Sequence, residues 1–168
     1  MGSGGVRATS DYLPLATCTN TPLLLPVSRW IKKAGEPQYV AGYSVGEVAA
    51  WGVGRLIDGF RTLDFVAART KAMDAANQGD EGTLFVRGLD LAAIDSLCAN
   101  REAAIAIVNP GDAYVLGGRR PALAGIAAEA LRSGAARAVT IPVEVASHTS
   151  LMKDASTAFF ARDGQCAS

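Results

Sequence analysis

Ser44 sits between Gly42 and Gly46 in the segment AGYSVGE, residues 41–47, and a serine so framed can act as a nucleophile. Such a serine needs a tight, strained turn between a strand and a helix. Flanking glycines remove the Cβ atoms that would collide there. The helix that follows offers unpaired N–H groups and the positive end of its dipole to an oxyanion. A plain glycine-rich strand-to-helix turn fits the same residues. A hydroxyl is a weak nucleophile until a base takes its proton. The sequence holds one histidine, His148, and a neutral imidazole suits that task. An ordinary surface or core histidine is the alternative. Asp112 and Asp154 are candidates by type to orient the imidazole, and a backbone carbonyl would serve equally. Arg69 interrupts an apolar helical stripe with a planar two-donor fork suited to a carboxylate. Pairing with Asp64 or Asp74 explains the same spacing.

These residues need elements to carry them. Residues 1–18 read as irregular. Thr21–Lys33 reads as a helix with Thr21 as cap and Pro22 at its first position, ended by Gly35-Glu36-Pro37. A strand over 38–43, the serine turn and a helix over 45–56 follow, with a break at 56–59. Phe60, Leu63, Val66, Ala67, Thr70 and Met73 mark an amphipathic helix to about Ala76, and Asn77–Glu81 reads as a polar turn.

The texture then changes. Strands are expected over 82–89, 103–108, 113–116 and 136–143, with helices over 90–99, capped by Asp90, and 121–133. Asn109-Pro110-Gly111-Asp112 is a strong turn, and Gly117-Gly118 is expected to end the third strand. The order β-α-β-β-α-β is that of a ferredoxin-like unit. The expected class is therefore α/β: a partial, α/β-hydrolase-like parallel sheet, residues 19–79 and 144–168, carrying an inserted ferredoxin-like subdomain, residues 80–143. His148 lies where the chain would return from the insert to the serine turn.

Bulk properties exclude other classes. With 49% hydrophobic and 19% charged residues, the chain of 168 residues can bury a core. Sixteen basic and sixteen acidic residues cancel, which leaves no electrostatic footprint for nucleic acid or an anionic membrane. Pro, Asn or charge breaks every apolar stretch short of a span, and the opening Met-Gly-Ser-Gly-Gly lacks a secretory pattern. Cys18, Cys98 and Cys166 are widely spaced and suggest neither a disulfide framework nor a zinc site, so a cytoplasmic setting without a metal is expected.

As an ordered set, these segments resemble the malonyl-CoA:acyl-carrier-protein transacylase family. Its relatives include polyketide synthase acyltransferases and the malonyl-transferring subunit of malonate decarboxylase. The family's G-H-S-x-G-E turn is matched by Gly42-Tyr43-Ser44-Val45-Gly46-Glu47. Its arginine with a methionine four residues on is matched by Arg69 and Met73. A segment "N-x-P…V-x-x-G" is similar to AIVNPGDAYVLGG, residues 106–118, and the histidine before "S/T-x-L-M" is matched by His148-Thr149-Ser150-Leu151-Met152. The resemblance spans roughly residues 19–160.

The resemblance implies an acyltransferase. Ser44, deprotonated by His148, would take an acyl group from acyl-CoA and pass it to the phosphopantetheine thiol of an acyl carrier protein. No cofactor is implied beyond acyl-CoA as substrate. Arg69 would bind the free malonyl carboxylate, and the Val45 N–H would supply half of the oxyanion hole. Three departures stand out. Tyr43 replaces the usual histidine. Ser147 replaces the phenylalanine common before the base, which implies room near the acyl α-carbon, as in methylmalonyl-accepting relatives. The family's opening strand and G-Q-G loop, and its continuation past the histidine, have no counterpart. The chain is thus expected to be truncated at both ends and to associate through exposed surface. A catalytically impaired remnant that binds CoA or carrier protein, and a serine hydrolase, are the rival readings.

Overall fold

A computed structural model describes residues 37–44 and 46–163. The irregular stretch 1–18, the helix expected over Thr21–Lys33 and the residue Val45 lie outside the described residues.

Two helices carry the first half. Helix α1 spans Gly46–Val53 and α2 spans Gly59–Ala76. Asp58 caps α2, its carboxylate accepting the Arg61 N–H at 2.9 Å. The two helices approach closely at Gly52. A Cβ there would lie 2.4 Å from Thr62 Oγ1, so glycine sets the distance between them.

The second half is a four-stranded antiparallel sheet with two helices on one face. Strand β1 covers Glu81–Arg87, α3 Leu91–Cys98, β2 Ala103–Asn109, β3 Ala113–Arg119, α4 Arg120–Arg132 and β4 Arg137–Ile141. The spatial order is β2-β3-β1-β4, and all three pairings are antiparallel. The β-α-β-β-α-β order expected for this stretch is the one observed. Period-two alternation divides the sheet's work. Leu84, Val86, Tyr114 and Leu116 turn to Ile94 and Leu97 of α3 and to Leu123, Ile126 and Ala130 of α4, forming the main core. Thr83 and Gly117 stand opposite each other in the register and serve the other face. There the segment 144–149 lies: Thr83 Oγ1 donates to Val145 O at 3.2 Å, and a Cβ on Gly117 would fall 2.8 Å from Thr149 Cγ2.

After that segment come a 3₁₀ turn, Ser150–Met152, and helix α5, Lys153–Asp163. Helix α5 runs against α2, with Phe159 edge-on to Phe65 at a centroid distance of 6.0 Å. A smaller apolar cluster of Met73, Val145, Met152 and Ala155 joins α2, the 144–149 segment and α5.

Several expectations are corrected. Residues 38–43 form no strand, and no parallel pairing exists among the described residues. Extended chain becomes a strand only when a neighbour takes up its N–H and C=O groups, and no described strand pairs with 38–43. Helix α1 ends at Val53 rather than at 56. Strand β4 is shorter than expected, ending at Ile141. Strand β3 does not stop at Gly117-Gly118 but runs through them to Arg119, because both are close-approach positions. Glu81 does not belong to an exposed turn; it opens β1 and is 1% exposed. Helix α5 carries too weak an apolar pattern to be read from sequence. Among the described residues no helix is long and apolar enough to cross a membrane.

Gly118 gives the first test. A Cβ there would lie 2.5 Å from Glu102 O and 2.6 Å from Ala103 Cα, both main-chain atoms that cannot swing aside. Gly118→Ala should cost about 1–3 kcal/mol in denaturant unfolding. An unchanged midpoint would show that β2 and β3 do not pack this tightly.

Candidate active site

Ser44 and His148 meet. Ser44 Oγ lies 2.9 Å from His148 Nε2, across 104 residues of sequence. With the hydroxyl donating, the Nε2 lone pair accepts, and the ring's own proton sits on Nδ1. Both residues hold the left-handed backbone region, with φ of +52° at Ser44 and +61° at His148. Each costs on the order of 1–3 kcal/mol for a residue with a side chain, so the surroundings must impose them.

At Ser44 the turn does so. Tyr43 O accepts the Gly46 N–H at 2.9 Å, and Ser44 O accepts the Glu47 N–H at 3.0 Å, so α1 begins directly beyond the serine. The two glycines are not equivalent. A Cβ on Gly42 would fall 2.0 Å from Gly46 O, whereas one on Gly46 meets no described atom within 4 Å. Only Gly42 is demanded by the close approach. The Val45 N–H, expected as an oxyanion donor, lies outside the described residues.

At His148 the anchors come from elsewhere in the chain. Asn77 Nδ2 donates to Glu144 O at 2.7 Å, Thr83 Oγ1 to Val145 O, and Thr149 Oγ1 to Ala146 O at 2.6 Å. The Ala146 N–H donates to Glu81 Oε2 at 3.1 Å. Val145 and Met152 bracket the histidine and are buried against Met73. Neither Asp112 nor Asp154 forms a hydrogen bond or ion pair with His148; the Asp112 carbonyl accepts the Gly88 N–H instead. Among the described residues no group partners Nδ1.

Arg69 lies one turn before Met73 on the same face of α2, and both open onto the cleft that His148 borders. The cleft has a volume of about 490 Å³, and Glu47, Trp51, Lys153 and Phe159 also line it. Burial pushes the Arg69 guanidinium below its ordinary pKa, and the Glu47 carboxylate opposes that shift. A guanidinium starts so high that it stays charged at neutral pH. The cleft therefore holds an imidazole at its edge and a partly desolvated cation within. Ser147 precedes His148 in the same turn, is half-buried and does not line the cleft. Tyr43, exposed beside the serine, donates its hydroxyl to Asn109 Oδ1 at 3.3 Å and so links the turn to the β2–β3 hairpin.

The arrangement contains residues that sequence reasoning missed. Glu47 was visible only as the last letter of the serine motif. Glu81, Thr83 and Asn77 gave no local signal, because each acts on a segment more than sixty residues away.

Comparison with known proteins gives a consistent picture. No protein-family model matches the chain. Malonyl CoA-acyl carrier protein transacylase of Escherichia coli K12 is 34% identical over 133 residues, 75% of this chain and 43% of that protein. The acyltransferase domain of an iterative polyketide synthase of enediyne biosynthesis superposes with a TM-score of 0.78 at 32% identity, covering 91% of this chain and 41% of that one. A malonyl-transacylase solved in complex with its type II polyketide synthase acyl-carrier protein gives a TM-score of 0.75 at 26% identity, covering 84% and 48%. The chain spans less than half the length of these relatives.

The two glycines beside Ser44 can be told apart experimentally. Gly42→Ala should displace Ser44 from His148, read as a change in the imidazole NMR signals, which are unambiguous because the sequence has one histidine. Gly46→Ala should leave those signals in place. Equal tolerance of both alanines would mean that the turn does not hold the serine.

Proposed function

We propose that this chain, a homologue of the malonyl-CoA:acyl-carrier-protein transacylases over 75% of its length, moves a malonyl-type acyl group from CoA to the phosphopantetheine thiol of an acyl carrier protein. The observation that carries the reading is the 2.9 Å contact between Ser44 Oγ and His148 Nε2, whose imidazole borders the cleft that holds Arg69.

His148 Nε2 takes the Ser44 proton as Oγ attacks the thioester carbonyl. The tetrahedral intermediate collapses, the C–S bond breaks, and the imidazolium returns the proton to the CoA sulfur. In the second half the carrier thiol gives its proton to His148 and attacks the acyl-serine ester. Oγ then leaves and recovers the proton. The chemistry needs no cofactor, since acyl-CoA enters as substrate. Arg69 pairs with the free carboxylate of the acyl group, and its partial burial strengthens that attraction relative to water. This cation favours a carboxylated acyl group over an uncharged one. Ser147 is proposed to leave room for an α-methyl only through its place in the turn beside His148, since it does not itself line the cleft. The Val45 N–H is proposed as one oxyanion donor. The carrier protein is proposed as partner by analogy with the complexed relative.

We read residues 80–143 as a ferredoxin-like insert in a hydrolase-like unit made of residues 19–79 and 144–168, acting in the cytoplasm. The strand order β2-β3-β1-β4 supports the insert.

Intact-mass analysis after incubation with malonyl-CoA should show an acyl adduct that Ser44→Ala lacks. His148→Ala should slow its formation by roughly two to four orders of magnitude. An adduct that persists in Ser44→Ala would refute the assignment.

Selectivity offers a separate check on Arg69. Arg69→Ala should lose malonyl transfer while keeping or gaining acetyl transfer. Equal losses on both acyl groups would give the residue a structural role instead.

A further inference from the structure

Glu81 has no part in the chemistry described so far, yet its side chain is 1% exposed. A buried carboxylate costs several kcal/mol unless it is bonded, and an apolar residue of similar size would serve packing alone as well or better. Its Oε2 accepts the Ala146 N–H at 3.1 Å. Ala146 is itself fully buried, so that N–H cannot turn to water and needs a protein partner. The carbonyl of the same residue is taken by Thr149 Oγ1 at 2.6 Å. Both polar groups of Ala146 are thus fixed two residues before a histidine whose φ of +61° would relax if the turn were released.

We propose that Glu81 is a positioning residue for His148: its carboxylate, presented by the first residue of β1, pins the Ala146 N–H and so holds the imidazole within reach of Ser44. The charge is not isolated. Arg119 stands directly across the β1–β3 register, although its main hydrogen-bond partner is Asp80. The sheet thereby reaches the histidine segment through this carboxylate, beside the Thr83 hydroxyl, on the face away from its helices. The inference rests on the acyl-transfer reading for its consequence but not for its geometry.

The test compares Glu81→Gln, which keeps an acceptor oxygen, with Glu81→Met, which keeps the bulk and removes the acceptor, in the full chain. Imidazole 15N signals report the His148 tautomer without substrate, and malonyl-CoA acylation is followed in parallel. Glu81→Gln should retain the Nδ1–H signature and acylate within a few-fold of the parent. Glu81→Met, with its melting transition intact, should show averaged tautomers and lose roughly a hundredfold in acylation rate at unchanged KM. Should Glu81→Met fail to fold, Glu81→Asp keeps the charge but draws the acceptor back from the Ala146 N–H, and loss of the tautomer signature there would support the inference. A folded Glu81→Met or Glu81→Asp with the parent signature, or equal unfolding of all the Glu81 variants, would overturn it. A parent chain that takes no malonyl from CoA would sink the function reading while leaving the ring signals to decide this one.

Discussion

The hydrogen bond between Ser44 Oγ and His148 Nε2 is the contact that the packing of both halves converges on. It joins two residues in unfavourable backbone conformations, drawn from opposite ends of the described chain. Neither would hold its geometry in isolation. The serine is held by the start of α1 and by the absence of a Cβ at Gly42. The histidine is held by side chains of α2, β1 and its own turn, and by a small apolar cluster. The 2.9 Å contact exists only because those two sets of anchors agree.

That agreement gives the antiparallel sheet a second role. One face buries apolar side chains under α3 and α4, which stabilises the unit. The other is a docking face for the 144–149 segment, and there the sequence places Glu81, Thr83 and Gly117 instead of large apolar residues. The alternation of a strand lets one element satisfy both demands, because successive side chains leave the sheet in opposite directions.

Electrostatics in the cleft follow from the same packing. Helix α2 carries Met73 into the cluster that braces the histidine segment and, one turn earlier, Arg69 into the cleft. Helical periodicity therefore ties the position of the cation to the position of the base. Glu47, from α1, offsets part of the burial cost of that cation.

Features under local chemical control are legible in the residues alone. Asp90 sits ahead of the helix that it caps, Asn109-Pro110-Gly111-Asp112 marks the turn between β2 and β3, and the apolar segments announce the strands of the sheet. The serine motif, the single histidine and the arginine at helical spacing were legible as candidates for the same reason: residue type and spacing suffice to name them. Tertiary structure decided the rest. Whether residues 38–43 form a strand depends on a neighbour, and a hydrogen-bond ladder is not encoded in the segment that would join it. Glu81 looked like the end of a polar turn, and only the fold of the segment 65 residues later makes it a buried acceptor. Asp112 and Asp154 had the right chemistry to orient the imidazole, but neither bonds to it. Distance in space, set by how separate elements pack, selects partners among residues that composition leaves equivalent.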